Sequence, residues 1–83
     1  MAKTEYYSML IQLFPALQVG DYCSYEDGMR ILKKDKKAIR QLLLLNLVHA
    51  PPEKRLWVRF NNGFTLIGIG KDPPEEWVGF IPK

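Results

Sequence analysis

Positive charge is concentrated in one short stretch of the sequence. Between Arg30 and Arg40 there are six basic residues and one acid, which gives this stretch a net charge of +5. The whole chain has a net charge of +3, so the remaining residues carry −2. A local cluster of Lys and Arg on an otherwise slightly acidic chain is typical of a protein that binds a polyanion such as nucleic acid. A solvated, lysine-rich helix surface is the alternative explanation of the same pattern.

Residues that could perform catalysis or hold a metal are few and far apart. The chain has one histidine, His49, and one cysteine, Cys23, which are 26 residues apart. Structural zinc sites use four ligands, usually Cys or His, and this sequence does not supply such a set. No general base or nucleophile lies near His49 in the sequence. We therefore expect no catalytic residue, no metal and no cofactor, and we predict that the chain is not an enzyme.

Length and composition predict one domain. With 83 residues and a hydrophobic fraction of 47%, the chain can form one modest core. No apolar run approaches the roughly 18 residues that a membrane span needs, so we expect no membrane partner. A single cysteine excludes an intrachain disulfide, and the first residues show no clean signal-peptide pattern. These features favour a cytoplasmic location.

Hydrophobic spacing and capping residues predict the elements that position the basic cluster. The predicted segments are helix 1 over 4–14, helix 2 over 24–33, helix 3 over 35–48, a β-hairpin over 55–70 and an apolar C-terminal tail over 71–83. Thr4, Ser24 and Asp35 are the residues suited to cap the three helices. Gly28 lies inside helix 2, where glycine costs about 1 kcal/mol relative to alanine. That cost indicates that another backbone packs close to Gly28.

The dipeptide Asn62-Gly63 is the strongest hairpin signal in the chain. If these two residues form the whole loop, Asn61 opposes Phe64 and Val58 opposes Ile67. A three-residue loop would change that register. We expect the apolar tail to cover the outer face of the hairpin, or a partner protein to provide the same cover.

The order helix, short extended segment, helix, helix, hairpin resembles the winged helix-turn-helix superfamily. The resemblance is found in YCSYEDGMRILKKDKKAIRQLL, residues 22–43. In this stretch Ser24 opens the second helix, Gly28 lies where two helices would cross, and Asp35 caps the third helix. The hairpin with the Asn62-Gly63 tip looks like the wing. The resemblance covers most of the chain and implies a small α+β domain with three helices, a hairpin wing and a tail.

This resemblance implies a sequence-specific protein that binds double-stranded DNA, with helix 3 in the major groove. The candidate DNA-binding residues are Lys33, Lys34, Lys36, Lys37, Arg40 and Gln41 around helix 3, and Arg59, Asn61 and Asn62 in the hairpin. Arg40 suits guanine and Gln41 suits adenine, because each can form a bidentate contact with that base. One module contacts few base pairs, so we expect a small transcriptional regulator that acts as a homodimer.

Two other functions are open at this point. A winged-helix fold also serves for protein interaction, for example in a small phage or plasmid protein that docks on a host protein through the hairpin and tail. The candidate partner or dimer contacts are Tyr7, Ile11, Trp57, Phe64, Trp77 and Phe80. An RNA-binding protein that stacks bases on Trp57 and Phe64 is the third alternative.

Overall fold

The described residues form three α-helices, three strands and two short 3-10 helices, Ile11–Leu13 and Pro52–Lys54. The computed structural model describes residues 5–60, 62–79 and 81–82. The helices are α1 (Glu5–Leu10), α2 (Tyr25–Leu32) and α3 (Lys36–His49), and the strands are β1 (Tyr22–Cys23), β2 (Leu56–Phe60) and β3 (Phe64–Ile69). The predicted α+β class is confirmed, and a three-stranded antiparallel sheet replaces the expected isolated hairpin. The predicted cap Thr4, the hairpin residue Asn61 and the tail residue Phe80 lie outside the described residues.

Side-chain caps explain where α2 and α3 begin. The Ser24 hydroxyl accepts a hydrogen bond from the backbone N–H of Asp27 at 3.1 Å. The Asp35 carboxylate accepts one from the backbone N–H of Ala38 at 2.8 Å. Lys33 ends α2 with a left-handed φ of 55°, which turns the chain so that α3 begins after only a short connection. The two predicted caps are confirmed.

The hairpin has a longer loop than the two-residue turn predicted from Asn62-Gly63. Phe60 pairs with Phe64, so three residues separate β2 from β3. The opposition of Val58 and Ile67 that a two-residue loop implies is not found, because Val58 pairs with Leu66, and the three-residue alternative applies. A one-residue change in register moves side chains to the other face of a strand. Phe64 and Leu66 therefore face the larger core with Val58, and Ile67 lies with Trp57 on the other side.

A contact with β1 and a contact between the two strands explain this register. Asn62 and Gly63 both have positive φ, of 63° and 133°, which a three-residue loop accommodates as well as a two-residue loop does. The Tyr22 hydroxyl of β1 donates a hydrogen bond to the carbonyl oxygen of Asn62. Phe60 and Phe64 also meet edge to face, with ring centres 5.9 Å apart. The loop dipeptide alone does not encode these contacts.

Hydrophobic side chains form two clusters. The larger cluster joins the helices to the sheet, and its buried members are Leu10, Leu13, Phe14, Cys23, Ile39, Leu43, Leu56, Val58, Phe64 and Leu66. The smaller cluster contains Leu47, Trp57 and Ile67, with Trp77 of the tail packed against it. The rings of Trp57 and Trp77 meet edge to face at 5.0 Å. The expectation that the tail covers the hairpin is confirmed at Trp57, whereas Phe64 belongs to the larger cluster.

Gly28 provides space for the ring of Phe64. A Cβ atom at Gly28 would lie 2.6 Å from Cε2 of Phe64, a distance that real Cβ atoms do not tolerate. The Phe64 ring is 0% exposed and so has no solvent space to move into. The predicted close approach at Gly28 therefore exists, but an aromatic ring makes it instead of a backbone segment.

Two buried polar side chains join the end of α3 to the base of the hairpin. The Asn46 side chain accepts a hydrogen bond from the backbone N–H of Leu56 at 2.9 Å and donates one to the carbonyl oxygen of Lys54 at 3.3 Å. Arg55 donates from Nε to the carbonyl oxygen of Leu47 at 3.1 Å and from Nη1 to that of Lys71 at 2.9 Å. Buried polar groups are costly without partners, so these bonds fix the hairpin against α3.

Replacing Gly28 by alanine is expected to destabilise the domain. Overpacking of a filled core costs about 1–3 kcal/mol. Alanine has a better helix propensity than glycine, but this gain of about 1 kcal/mol does not exceed that cost. Urea unfolding, monitored by circular dichroism, measures the difference in free energy of unfolding between Gly28→Ala and the original protein.

The matched control for Gly28→Ala is the same change in a Phe64→Leu background, where the ring is absent. We expect the cost of Gly28→Ala to disappear or reverse in that background, because the two substitutions share one contact. An equal loss in both backgrounds would contradict the assignment of the clash to the Phe64 ring.

Candidate nucleic-acid interface

The predicted basic residues surround the N-terminal half of α3. Five exposed cations lie in the turn before α3 and in its first two turns: Lys33, Lys34, Lys36, Lys37 and Arg40. The exposed amide Gln41 follows them. Among the residues that the structure describes, none of these five cations forms an ion pair with a carboxylate. The helix N-terminus adds a partial positive charge of its own. The result is one uncompensated positive surface.

Arg30, the sixth cation of the stretch, is compensated. Its Nη2 atom lies 2.8 Å from Oδ1 of Asp27, one helical turn away on α2. The hydrogen bond from Arg30 lowers the pKa of the Asp27 carboxyl below its usual value, with a further contribution from the Ser24 hydroxyl. Asp27 therefore stays ionised and offsets the charge of Arg30, so the free positive charge is centred on α3.

A groove opens at the start of α3. It has a volume of about 280 Å³ and is lined by Tyr25, Lys36, Lys37, Arg40 and Phe60. Nζ of Lys36 lies 4.3 Å from the centre of the Tyr25 ring. Cζ of Arg40 lies 5.1 Å from the centre of the Phe60 ring. Both distances are within the range of cation–π attraction, so the two rings hold the cations at the walls of the groove.

No pattern in the sequence indicated that Tyr25 and Phe60 belong to this site. Tyr25 opens α2 and Phe60 ends β2, and both rings pack edge-on against Phe64, with ring centres 5.1 Å and 5.9 Å away. Phe64 therefore brings the two rings to the same end of the domain. Because that contact depends on the register of the hairpin, no local pattern could have predicted it.

Arg59, one of the hairpin candidates, lies away from the positive surface. Nη1 of Arg59 lies 2.9 Å from Oε2 of Glu76 in the tail, and both side chains are about half exposed. Successive strand residues point to opposite faces, so Arg59 and Phe60 face different sides of the sheet. Of these two residues, Phe60 lines the groove. Asn62 is exposed at the tip of the hairpin.

The two aromatic residues expected at a partner surface lie inside the domain. Trp57 and Phe64 are both 0% exposed. Neither ring offers a surface to a protein or to a stacked RNA base in this fold. The tail covers Trp57, whereas the observed register turns Phe64 into the larger core beside Tyr25.

The other expected partner contacts are partly used within the chain. Tyr7 and Ile11 are half-buried against the larger cluster, and Trp77 is half-buried on Trp57. Lys54 also places Nζ 5.0 Å from the centre of the Tyr7 ring. These residues therefore contribute to the stability of the domain, whatever further contacts they make.

The apolar side chains that are exposed differ from the predicted partner contacts. On α3, Leu44 and Val48 follow Arg40 at intervals of four residues, so the exposed side of this helix is basic in its first half and apolar in its second. In the tail, Val78 is 91% exposed and Ile81 is 60% exposed.

Comparison of the chain with family models, curated proteins and solved structures gave no match. Within the part of the chain that the structure describes, no helix is both long and apolar enough to cross a bilayer. The same residues contain no group of three or more His, Cys, Asp or Glu side chains arranged to hold a metal ion. The proposals below rest on the geometry alone.

The position of the positive surface depends on the cap at Asp35. Asp35→Ala removes the acceptor for the N–H of Ala38 and should lower the free energy of unfolding by about 1 kcal/mol. Asp35→Ser, which keeps an oxygen acceptor, should restore most of that loss. Thermal and urea unfolding measure both variants. If Asp35→Ser is as unstable as Asp35→Ala, the cap does not account for the contribution of Asp35.

Proposed function

We propose that this chain is a winged-helix protein that binds double-stranded DNA, with α3 in the major groove. The observation that supports this most directly is the set of five exposed, unpaired cations around the N-terminal half of α3 among the described residues. Phosphate neutralisation by such residues supplies most of the affinity of DNA-binding proteins. A surface that only keeps the protein soluble does not need its cations clustered at one end of a helix.

The order of the elements supports the winged-helix part of the proposal. A helix, a short strand, two helices and a hairpin follow one another, and α2 is joined to α3 by a short capped turn. The pairing of β1 with β3 attaches the short strand to the hairpin, so that the helices and the hairpin form one body.

The dimensions and chemistry of α3 support its assignment as the recognition helix. Its 14 residues span about 21 Å, and a helix of this kind fits the major groove of B-DNA. Arg40 and Gln41 lie on its exposed side and match guanine and adenine respectively. Lys33 and Lys34 precede the helix, where phosphate contacts are expected.

A single domain of this size contacts few base pairs. We therefore propose that the protein acts as a sequence-specific transcription regulator when two copies occupy neighbouring half-sites. The exposed residues Leu44 and Val48 of α3 and Val78 and Ile81 of the tail are the surfaces available for such pairing.

Charge reversal on α3 tests the DNA-binding proposal. Fluorescence anisotropy with random-sequence duplex DNA over a range of salt should give a log–log slope of about −3 or steeper, since each neutralised phosphate contributes about −0.9. Lys37→Glu should weaken binding and make the slope shallower by about 1. The triple variant Lys36→Glu, Lys37→Glu, Arg40→Glu should abolish binding while circular dichroism stays native.

Lys71→Glu is the matched control for Lys37→Glu. Lys71 is exposed, lies outside the groove, and accepts a hydrogen bond from Arg55 only through its backbone carbonyl. This variant makes the same change in net charge and should leave the salt slope unchanged. If Lys37→Glu and Lys71→Glu lose the same affinity for DNA, net charge explains the loss and α3 is not the binding site. Retained affinity in the folded triple variant would remove the recognition-helix assignment.

A protein-interaction surface is the second candidate function, and the exposure of the tail favours it. Val78 is exposed and lines a groove of about 170 Å³ together with Ile67 and Trp77, and Ile81 is exposed three residues further along the tail. An apolar groove next to exposed apolar side chains is typical of a contact with another chain. We propose that the partner is a second copy of this chain, so that the tail surface forms the interface of the proposed dimer.

Substitution of Val78 tests the tail as a self-association surface. Val78→Ser should shift the sedimentation equilibrium of the protein towards the monomer. Val19→Ser, at another valine that is 64% exposed, should leave it unchanged. A wild-type monomer at all concentrations, or equal effects of the two variants, would show that the tail does not pair two copies.

A further inference from the structure

The groove at the start of α3 contains aromatic rings beside its cations, and contact with a paired duplex does not require such rings. Cations that bind phosphates of a duplex need only an exposed surface. Here Lys36 and Arg40 lie against aromatic rings and form the walls of a concave site. We propose that this groove binds one unpaired nucleotide, whose base packs on Tyr25 and Phe60 and whose phosphate meets Lys36 and Lys37.

The lining of the groove matches the two chemical parts of a nucleotide. Tyr25 and Phe60 supply aromatic surface to the groove and are only half-buried, although Lys36 and Arg40 lie over their rings and must share that surface with the base. Lys36, Lys37 and Arg40 supply three positive charges within two turns of one helix. Aromatic rings beside Lys and Arg are the common means by which proteins bind unpaired bases, because every base has a π face.

The size and position of the groove limit what can enter it. A volume of about 280 Å³ is small even for a small-molecule pocket and admits a single group, not a segment of duplex. A base that is stacked in a duplex presents only its edge, so it must leave the stack to reach a concave site. The groove therefore takes a bulged, mismatched or terminal nucleotide next to the duplex that α3 contacts.

This inference rests on the proposed DNA binding and adds a preference to it. The protein should bind a duplex that contains one unpaired nucleotide more tightly than a fully paired duplex of the same sequence. The gain comes from one base–aromatic contact, for which we expect about a tenfold difference in Kd.

Anisotropy measurements on three duplexes test the preference. The first duplex is fully paired, the second has one extra unpaired adenine, and the third has an abasic nucleotide at the same place. We expect the adenine bulge to bind about tenfold more tightly than the other two. Equal binding of the adenine and abasic bulges would overturn the inference, because flexibility of the bent duplex would then explain the preference.

Substitution of the rings tests the site itself. Phe60→Leu should reduce the preference for the adenine bulge over the paired duplex, both measured on the same variant, to less than about twofold. Tyr25→Leu should do the same and serves if Phe60→Leu does not fold. Tyr7→Leu is the matched control, because Tyr7 has a similar contact with Lys54 but lies outside the groove.

The outcomes separate this inference from the function on which it rests. If none of the three duplexes binds, both proposals are rejected. If all three bind equally, DNA binding stands and the nucleotide site is rejected. Preference for the adenine bulge that persists in folded Phe60→Leu and Tyr25→Leu variants would place the base elsewhere and also reject the site.

Discussion

The packing of Phe64 against Gly28 is the contact on which the rest of the domain depends. The ring occupies space that only glycine leaves on α2, and it is completely buried there. This contact sets the position of β3, and β3 is the central strand of the sheet. Tyr25 and Phe60 each pack against the Phe64 ring. The core and the candidate site therefore share one aromatic cluster.

Charge and packing are separated along α3. Its first half presents free cations beside aromatic rings, whereas its end is joined to the hairpin by the hydrogen bonds of Asn46 and Arg55. The helix is thus held firmly at the end away from the positive surface. A helix fixed in this way presents its cations in a constant direction, which reduces the ordering cost of binding a polyanion.

Local features were predictable and features that depend on distant contacts were not. Ser24 and Asp35 were identifiable as caps because their hydrogen bonds reach only three residues along the chain. The positive stretch was evident from composition. The hairpin register was left open by the sequence, because Tyr22 and Phe64 fix it through contacts with other elements. The two-residue register placed Phe64 on the outer face beside Trp57, so its burial against Tyr25 and Gly28 was not foreseen.

Nucleic-acid binding by the first half of α3 is tested most directly by a map of backbone amide shifts. Duplex DNA is added to isotope-labelled protein, and the shift of each amide is followed by nuclear magnetic resonance. We predict that the largest changes occur over residues 33–41 and at Phe60, with little change around Val78. Changes centred on the tail, or no change at low salt, would contradict the assignment of the positive surface to DNA.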